Sequence, residues 1–382
     1  MLPVYLVISP FFPHPRFFQG PFVFDQVQAI AQTGNYKVLV LKPKPWYSNE
    51  KDYDYEGVKV YRFNTYELPS NILPGLFNLL SVWSILRKLK SLNINNKDIR
   101  VVHAHVTGTG FLANALKRRN PVIKTLLQHH GLDVLSLTNG RFSNFSWHRS
   151  WVKAYGIRTC NLIGLHIGVS AKTLEYLRAY PEIKIKDSYV LYNGVDTSKF
   201  YPIEGLKDPV YFTIGCIGNF WELKDQLTLI KAIEKLGTEG IDNVRVIFIG
   251  SGAMLEMCRK YVIQHKLSRY IEFRKEVPHK ELCQFYNTLH LFVLPSYHEA
   301  FGCVYTEAYA CGVPFIGVEG QGIAELISEQ DTQNWLIKKG DFENLSKLIL
   351  KQLNHPLKQQ LTINPEINHL LSIFFSKLNN NA

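Results

Sequence analysis

Residues 291–317 read LFVLPSYHEAFGCVYTEAYACGVPFIG, from Leu291 to Gly317. Leu291–Leu294 is a short apolar run closed by Pro295, the pattern of a buried strand. A loop follows, and a helix begins near Cys303 and runs through Thr306–Cys311. Phe315–Gly317 is apolar and short again, a second strand. Strand, loop, helix and strand in this order make the unit from which parallel sheets with helices on both faces are built. Ligands of such sheets bind at the carboxyl ends of the strands, where helix N-termini attract anions.

The same rhythm extends outward along the chain. In the second half, Phe212–Ile217, Val244–Ile249 and Ile271–Phe273 read as strands, with helices over Leu227–Leu236, Ala253–Gln264 and His279–Thr288. In the first half, strands are expected at Val4–Ser9, Lys37–Lys42, Val58–Phe63, Val101–His105, Val122–His129 and Leu165–Val169. Helical patterns between them include Val23–Gln32, Asn78–Leu92 and Gly110–Arg119. At 382 residues the chain is long enough for two domains. Its composition, 46% hydrophobic and 20% charged, is that of a globular protein with a sizeable core in each half. The periodicity breaks around Asp187–Pro209, so the expected parts are 1–187, 188–364 and a closing segment 365–382 whose helix, Ile367–Leu378, packs back on the first domain. The fold class is α/β, with two Rossmann-like domains facing across a cleft.

Within 291–317, small Gly302 lets backbone N–H groups approach a phosphate closely. Glu299 stands on the loop and Glu307 about one turn inside the helix. N–H donors suit a diphosphate, and carboxylates accept hydrogen bonds from sugar and ribose hydroxyls, the needs of a nucleotide-sugar. The pair Glu299 and Glu307, flanked by FVLPS and EAYACGVPFIG, resembles the E-x7-E donor motif of retaining glycosyltransferases of family 4, which have the GT-B fold. NGVD at Asn193–Asp196 is similar to the segment opening that family's second domain. In GCIGNFWELKDQ, Gly218 and Lys224 match the family's strand-end glycine and its diphosphate-neutralising lysine. Asn219 stands where the family usually has arginine, which leaves one phosphate contact missing or supplied elsewhere. GQGIAELI resembles the glycine-rich GG-x-P-E loop through Gly320, Gly322 and Glu325, with Gln321 and Ala324 as departures.

In the first half, QHHGLD follows an apolar strand, and His130 matches the histidine that the family carries near the donor's anomeric centre. His129 reads as a structural neighbour, and Asp133 as either a helper of His130 or a helix cap. Gly20 is the small residue before the first helix, in place of the family's glycine-rich loop. Arg16 and the aromatics around it either contact the acceptor or form an ordinary packed loop. His103 and His105 lie on one face of their strand and read as structural rather than metal-binding.

The resemblance implies transfer with retention and no metal or other cofactor. Lys224 and the backbone at Phe301, Gly302 and Cys303 would hold the leaving diphosphate, with Gly218, Asn219 and Glu325 around it. Glu299 would hold the donor sugar, Glu307 the ribose, and His130 would face the transferring carbon. Rival readings are a nucleotide-sugar epimerase and a nucleotide-sugar-binding protein with a degenerate site.

Charge separates the two halves. Residues 1–165 hold 20 Lys and Arg against 8 Asp and Glu, and the rest of the chain 23 against 24. Such a field suits an anionic partner: a lipid-linked or glycan acceptor, as in surface polysaccharide assembly, or the acidic face of a membrane. No nucleic-acid-binding motif accompanies it. Asn71–Lys90 is apolar on one side and basic at its end, so it reads as a core helix with a solvated end or as an interfacial helix. Six cysteines without a close pair fit a reducing compartment, and the start MLPVYLVISPFFP lacks a signal peptide's basic region and cleavage site. The expected location is cytoplasmic, at the inner face of the membrane if the interfacial reading holds.

Overall fold

In the computed structural model, which describes residues 2–15 and 19–380, the chain divides into two units. One comprises the chain up to Tyr192 together with the segment from Ile367; the other is Asn193–Glu366. The divisions therefore fall at 192/193 and 366/367, where the sequence places them at 187/188 and 364/365.

The first unit is built on an eight-stranded sheet of β1 (Val4–Ile8), β2 (Lys37–Pro45), β3 (Tyr53–Tyr55), β4 (Val58–Thr65), β5 (Ile99–His105), β6 (Lys124–His129), β7 (Leu165–Gly168) and β8 (Ser188–Val190). Its order is β3-β4-β2-β1-β5-β6-β7-β8, and every pair is parallel except β3 with β4. That antiparallel pair corrects the all-parallel expectation. Glu56 (φ 47) and Gly57 (φ 81) both take left-handed conformations, and the Asp54 carboxylate accepts the Gly57 N–H at 3.0 Å, which makes a tight hairpin.

Helices α1 (Pro21–Gln32), α2 (Asn78–Ser91), α3 (Gly110–Arg119), α4 (Leu132–Leu135), α5 (Ser146–Asn161) and α6 (Ala171–Arg178) supply the connections. β1 is buried along its whole length, VYLVI, because a parallel sheet is covered on both faces. Leu6, Val102 and Leu127 from the strands meet Ile85, Leu112 and Leu116 from α2 and α3 in one core cluster. Each such side chain contributes about 1.5–3 kcal/mol on burial.

The second unit has six parallel strands: β9 (Phe212–Ile217), β10 (Val244–Ile249), β11 (Ile271–Arg274), β12 (Leu291–Val293), β13 (Phe315–Val318) and β14 (Leu336–Ile337). Their order is β11-β10-β9-β12-β13-β14. They alternate with α7 (Gln226–Thr238), α8 (Leu255–Gln264), α9 (His279–Asn287), α10 (Cys303–Ala310), α11 (Thr332–Trp335) and α12 (Phe342–Asn354).

The last helix, α13 (Ile367–Asn380), belongs to the first unit and packs on α1. Its apolar stripe, Ile367, Leu370, Leu371, Phe374 and Leu378, is buried at helical spacing. The Phe375 ring lies 6.2 Å from Tyr5, and Lys124 Nζ donates to the Leu378 carbonyl at 2.7 Å. No helix among the described residues is long and apolar enough to cross a membrane.

Both sheets are doubly wound, so in each the strand order reverses at one place. In the first unit the reversal lies between β1 and β5, and in the second between β9 and β12. Crevices at the carboxyl ends of those strand pairs are where such sheets bind ligands.

Candidate active site

In the second unit, the loop after β9 and the loop after β12 are joined at the reversal point. The Ser296 hydroxyl and the Tyr297 N–H both donate to the Leu223 carbonyl, each at 3.1 Å. Asp225, in the left-handed region (φ 47), then turns the chain into α7 just past Lys224. These restraints bring Lys224 onto Glu299, with which it forms a hydrogen-bonded ion pair between two half-buried side chains. The Glu299 loop is also held from the opposite side. Its N–H donates to Gln321 Oε1 at 2.9 Å, and its carbonyl accepts the Gly322 N–H at 3.1 Å. Gln321, a departure from the family pattern in the sequence, thus fixes the backbone of the motif's first glutamate.

The loop ends at Gly302, which precedes α10 with φ 84, and a Cβ there would stand 2.7 Å from the Tyr305 ring and 3.0 Å from Glu299 Cγ. Only glycine fits both the backbone and the space. No side chain caps α10, so its N-terminal dipole is directed past Gly302 toward the Glu299 loop. Phe301 is buried, so its part in any site is through its backbone; Cys303 opens the helix. Glu307, one turn in, is nearly buried against α9, accepting from Tyr286 Oη at 2.8 Å and paired with His279 Nε2 at 3.2 Å. One protein partner per oxygen leaves a lone pair on each for a ligand hydroxyl. Glu325 lies on the 3-10 turn Gly322–Leu326 that follows the Gln321 brace.

Gly218 directly follows β9, its N–H on the Ile249 carbonyl at 3.0 Å, and Asn219 is exposed with its carbonyl bound by Gln226 Nε2 at 3.0 Å. A second cation, which no sequence motif marks, stands at the loop after β12: Lys339 Nζ lies 3.6 Å from the centre of the Tyr297 ring.

In the first unit, the corresponding point is occupied by histidines. His103 and His105 alternate onto one side of β5 and stack at 4.5 Å; His105 Nδ1 meets His130 Nε2 at 3.1 Å, and His103 Nδ1 meets Tyr5 Oη at 2.9 Å. The rings of Phe22 and Phe11 lie 4.9 and 6.4 Å from that of His130. Phe11 reaches it because Gly20 is left-handed (φ 74) and packs where a Cβ would stand 2.8 Å from Phe11. Gly20 and His130 are therefore brought together; Arg16 lies outside the described residues.

Gly131 rather than Asp133 is the N-cap of α4, and the Asp133 side chain lies against His130. Its carboxylate accepts the Thr107 N–H (3.0 Å) and hydroxyl (3.1 Å), the His130 N–H (2.8 Å) and His129 Nδ1 (3.2 Å). It ties the β5 and β6 loops together, and it helps hold Val106 in a costly conformation for a branched residue (φ 63). His129 Nε2 in turn meets His166 Nδ1 at 3.0 Å, and His166 Nε2 meets the Cys160 carbonyl at 3.2 Å. A carbonyl only accepts, so a neutral His166 donates there from Nε2 and accepts at Nδ1.

Burial dominates the electrostatics of this cluster. It pushes His103 and His166 down to about 3, with neighbouring histidines adding to the effect, and it holds His105 well below the usual range. Burial likewise lowers His130 to about 4, against the opposing charge of Asp133. For Asp133, burial alone would raise the pKa, but hydrogen bonds and charge from His129 and His130 outweigh it and bring it to about 2. His130 is thus a neutral imidazole at physiological pH, held by His105 and by the Asp133 brace.

Two α/β units, each with polar side chains gathered at the reversal of its sheet, are the arrangement of the GT-B glycosyltransferases. The chain belongs to glycosyltransferase family 4: it matches the family described as Glycosyltransferase Family 4 over residues 19–199 and that described as Glycosyl transferases group 1 over 200–366. It is similar to the putative teichuronic acid biosynthesis glycosyltransferase TuaC of Bacillus subtilis, at 25% identity over 87% of this chain and 84% of that protein. It is also similar to the phosphatidylinositol N-acetylglucosaminyltransferase gpi3 subunit of Schizosaccharomyces pombe, at 24% identity over 96% of this chain and 77% of that one. Among solved structures, HepE of Anabaena in complex with UDP and glucose has the same fold, with a TM-score of 0.69 and 15% identity over 98% of this chain and 99% of that one. The protein is a glycosyltransferase.

Proposed function

We propose that the enzyme moves a sugar from a nucleoside-diphosphate sugar, with retention of anomeric configuration, to a polysaccharide or lipid-linked acceptor. The observation that carries this reading is the Lys224–Glu299 pair at the uncapped N-terminus of α10. A diphosphate entering there meets a cation and a helix dipole, and it competes with Glu299 for Lys224. Released from the lysine, Glu299 accepts hydrogen bonds from the donor sugar, and Glu307 accepts from the ribose through its remaining lone pairs. In the first unit, neutral His130 can donate or accept a hydrogen bond without adding a charge to its own crevice.

In the front-face displacement that this reading favours, the bond from the anomeric carbon to the diphosphate breaks. The acceptor oxygen bonds to that carbon on the same face, and its proton passes to the departing diphosphate oxygen. Fixed dipoles and Lys224, rather than a bound metal, answer the charge that develops on the leaving group. The acceptor class is supported by relatives whose names refer to teichuronic acid and to phosphatidylinositol. The donor class is supported by the UDP and glucose bound in HepE.

The test is Glu299→Ala in a purified transfer assay against lipid phosphates and oligosaccharides. Turnover is expected to fall by roughly a thousandfold, the scale of losing one preorganised polar contact to the transition state, with an unchanged melting temperature. Undiminished turnover contradicts the assignment. Incubation with donor alone separates transfer from epimerisation, and the anomeric configuration of the product separates retention from inversion.

A further inference from the structure

Helices α2, α3 and α5 pack side by side in the first unit and together carry nine Lys and Arg and no Asp or Glu. Among the described residues only Lys88 and Lys153 of these nine reach a carboxylate, Asp52 and Glu182 respectively. α2 has two apolar edges. Val82, Ile85 and Leu89 face the core, whereas Leu79, Leu80 and Trp83, at positions i, i+1 and i+4, are exposed, Leu79 to 84%, and Leu76 in the turn before the helix is exposed beside them. Trp147 and Trp151 of α5 are exposed too, and the Arg87 guanidinium lies 5.2 Å from the Trp83 ring. A groove of about 630 Å³ runs between the helices, walled by Leu76, Leu79, Phe111 and Trp151 and lined also by Arg118, Arg119 and Arg158. Asn114 lines it as well: its Nδ2 donates to the Thr159 carbonyl at 2.9 Å, but its Oδ1, though buried, has no partner.

We propose that this face docks on a bilayer surface rich in anionic phospholipid. The exposed Leu and Trp side chains enter the boundary between headgroups and acyl chains, and the arginines bind headgroup phosphates. The groove receives the glycerol end of a lipid, whose hydroxyl or amide donates to Asn114 Oδ1. Charge complementarity selects this occupant. A second copy related by two-fold symmetry would bring an acid-free cationic face against itself, and a soluble polyanion gives Leu79 and Leu80 nothing to bury against. The inference deepens the reading of a lipid-linked acceptor, because it puts the enzyme at the surface where such an acceptor lies.

The test is flotation of the full chain with vesicles of neutral phosphatidylcholine and with vesicles containing roughly a third phosphatidylglycerol. Binding is expected to the acidic vesicles and to be weak on the neutral ones. Leu79→Asn with Trp83→Asn, and separately Arg118→Glu with Arg158→Glu, should each lower the partition coefficient at least about tenfold, since each change removes apolar insertion or local charge. All four positions are exposed, so melting temperatures should not move. Equal binding to both vesicle types, undiminished binding by either variant, or a concentration-dependent dimer abolished by the Leu79 and Trp83 changes overturns the proposal. Thermal shift by a nucleotide-sugar is read in parallel: if no donor stabilises the chain while acidic vesicles still bind it, the transfer reading fails and the docking surface stands.

Discussion

The two reversal points of the molecule solve different electrostatic problems. In the second unit, which is close to neutral with 18 Lys and Arg against 21 Asp and Glu, the point between β9 and β12 holds an ion pair. In the first unit, strongly cationic with 25 against 11, the point between β1 and β5 holds histidines kept neutral by burial. The charge of a unit and the charge of its site are therefore independent. The positive excess, which suits an anionic acceptor or an acidic membrane face, is concentrated on helices α2, α3 and α5, which carry nine Lys and Arg and no acid. A charged crevice suits an anionic leaving group. A neutral, hydrogen-bonded one suits an uncharged ligand.

The most severe way to break this comparison is to remove the charge in the second unit. Lys224→Ala should lower kcat by about a hundred- to a thousandfold, about 3–4 kcal/mol of transition-state stabilisation, and weaken donor binding, as measured by steady-state kinetics. A wild-type rate would show that the cation has no part in the site. In the first unit the matching change is Asp133→Ala, which strips the acceptor from Thr107, His129 and the His130 N–H. It should cost about 3 kcal/mol of stability in urea unfolding, with turnover falling as His130 loses its support.

The neutral histidines also predict a pH dependence. Folded His103 and His166 titrate near 3 and His105 well below its usual range, whereas the unfolded chain takes up these protons near 6.5. Stability is therefore full above about 6.5 and falls as the pH drops from there toward 3, by about 1.4 kcal/mol per group per pH unit. Asp133, lowered to about 2, adds a loss only below its ordinary value near 4. Calorimetry at pH 7 and pH 5 reads the first effect; a flat stability between them would mean that the histidines are not neutral in the fold. The mildest change sharpens the comparison. Asn219→Arg adds a second cation to the charged site and should tighten nucleoside-diphosphate binding about two- to fivefold at low salt, an effect lost at high salt.

Much of this architecture is legible in the sequence because parallel strands are written as uninterrupted apolar runs. VYLVI and VRVIFI stand out at once, and both form strands. Elements that draw their stability from a partner do not announce themselves. β14 is two residues long and exists because β13 pairs with it. α5 buries His148, Gly156, Thr159 and Cys160, so it shows no apolar stripe. α12 carries a clear start in Asp341, whose side chain accepts the Asn344 N–H, but buried Gln352 interrupts its periodicity.

At the site, Glu299 and Lys224 are visible through their flanking motifs, yet their contact spans 75 residues and follows only from the sheet order. His105 shows the opposite case. Its alternation with His103 is plain in the sequence, but that it carries His130 depends on the pairing of β5 with β6, which no local pattern contains. Gln321 reads as a departure from a motif, and only the fold reveals that its oxygen restrains Glu299.

The central claim is that the crevice after β9 and β12 takes a nucleoside-diphosphate sugar. It is tested most directly by thermal shift of the full chain against a panel of such sugars, run beside Lys224→Ala. The account predicts that one base and sugar combination raises the melting temperature and that the rise disappears in the variant while its own unliganded melting point is unchanged. A panel in which nothing shifts, or a rise that Lys224→Ala retains in full, would contradict it.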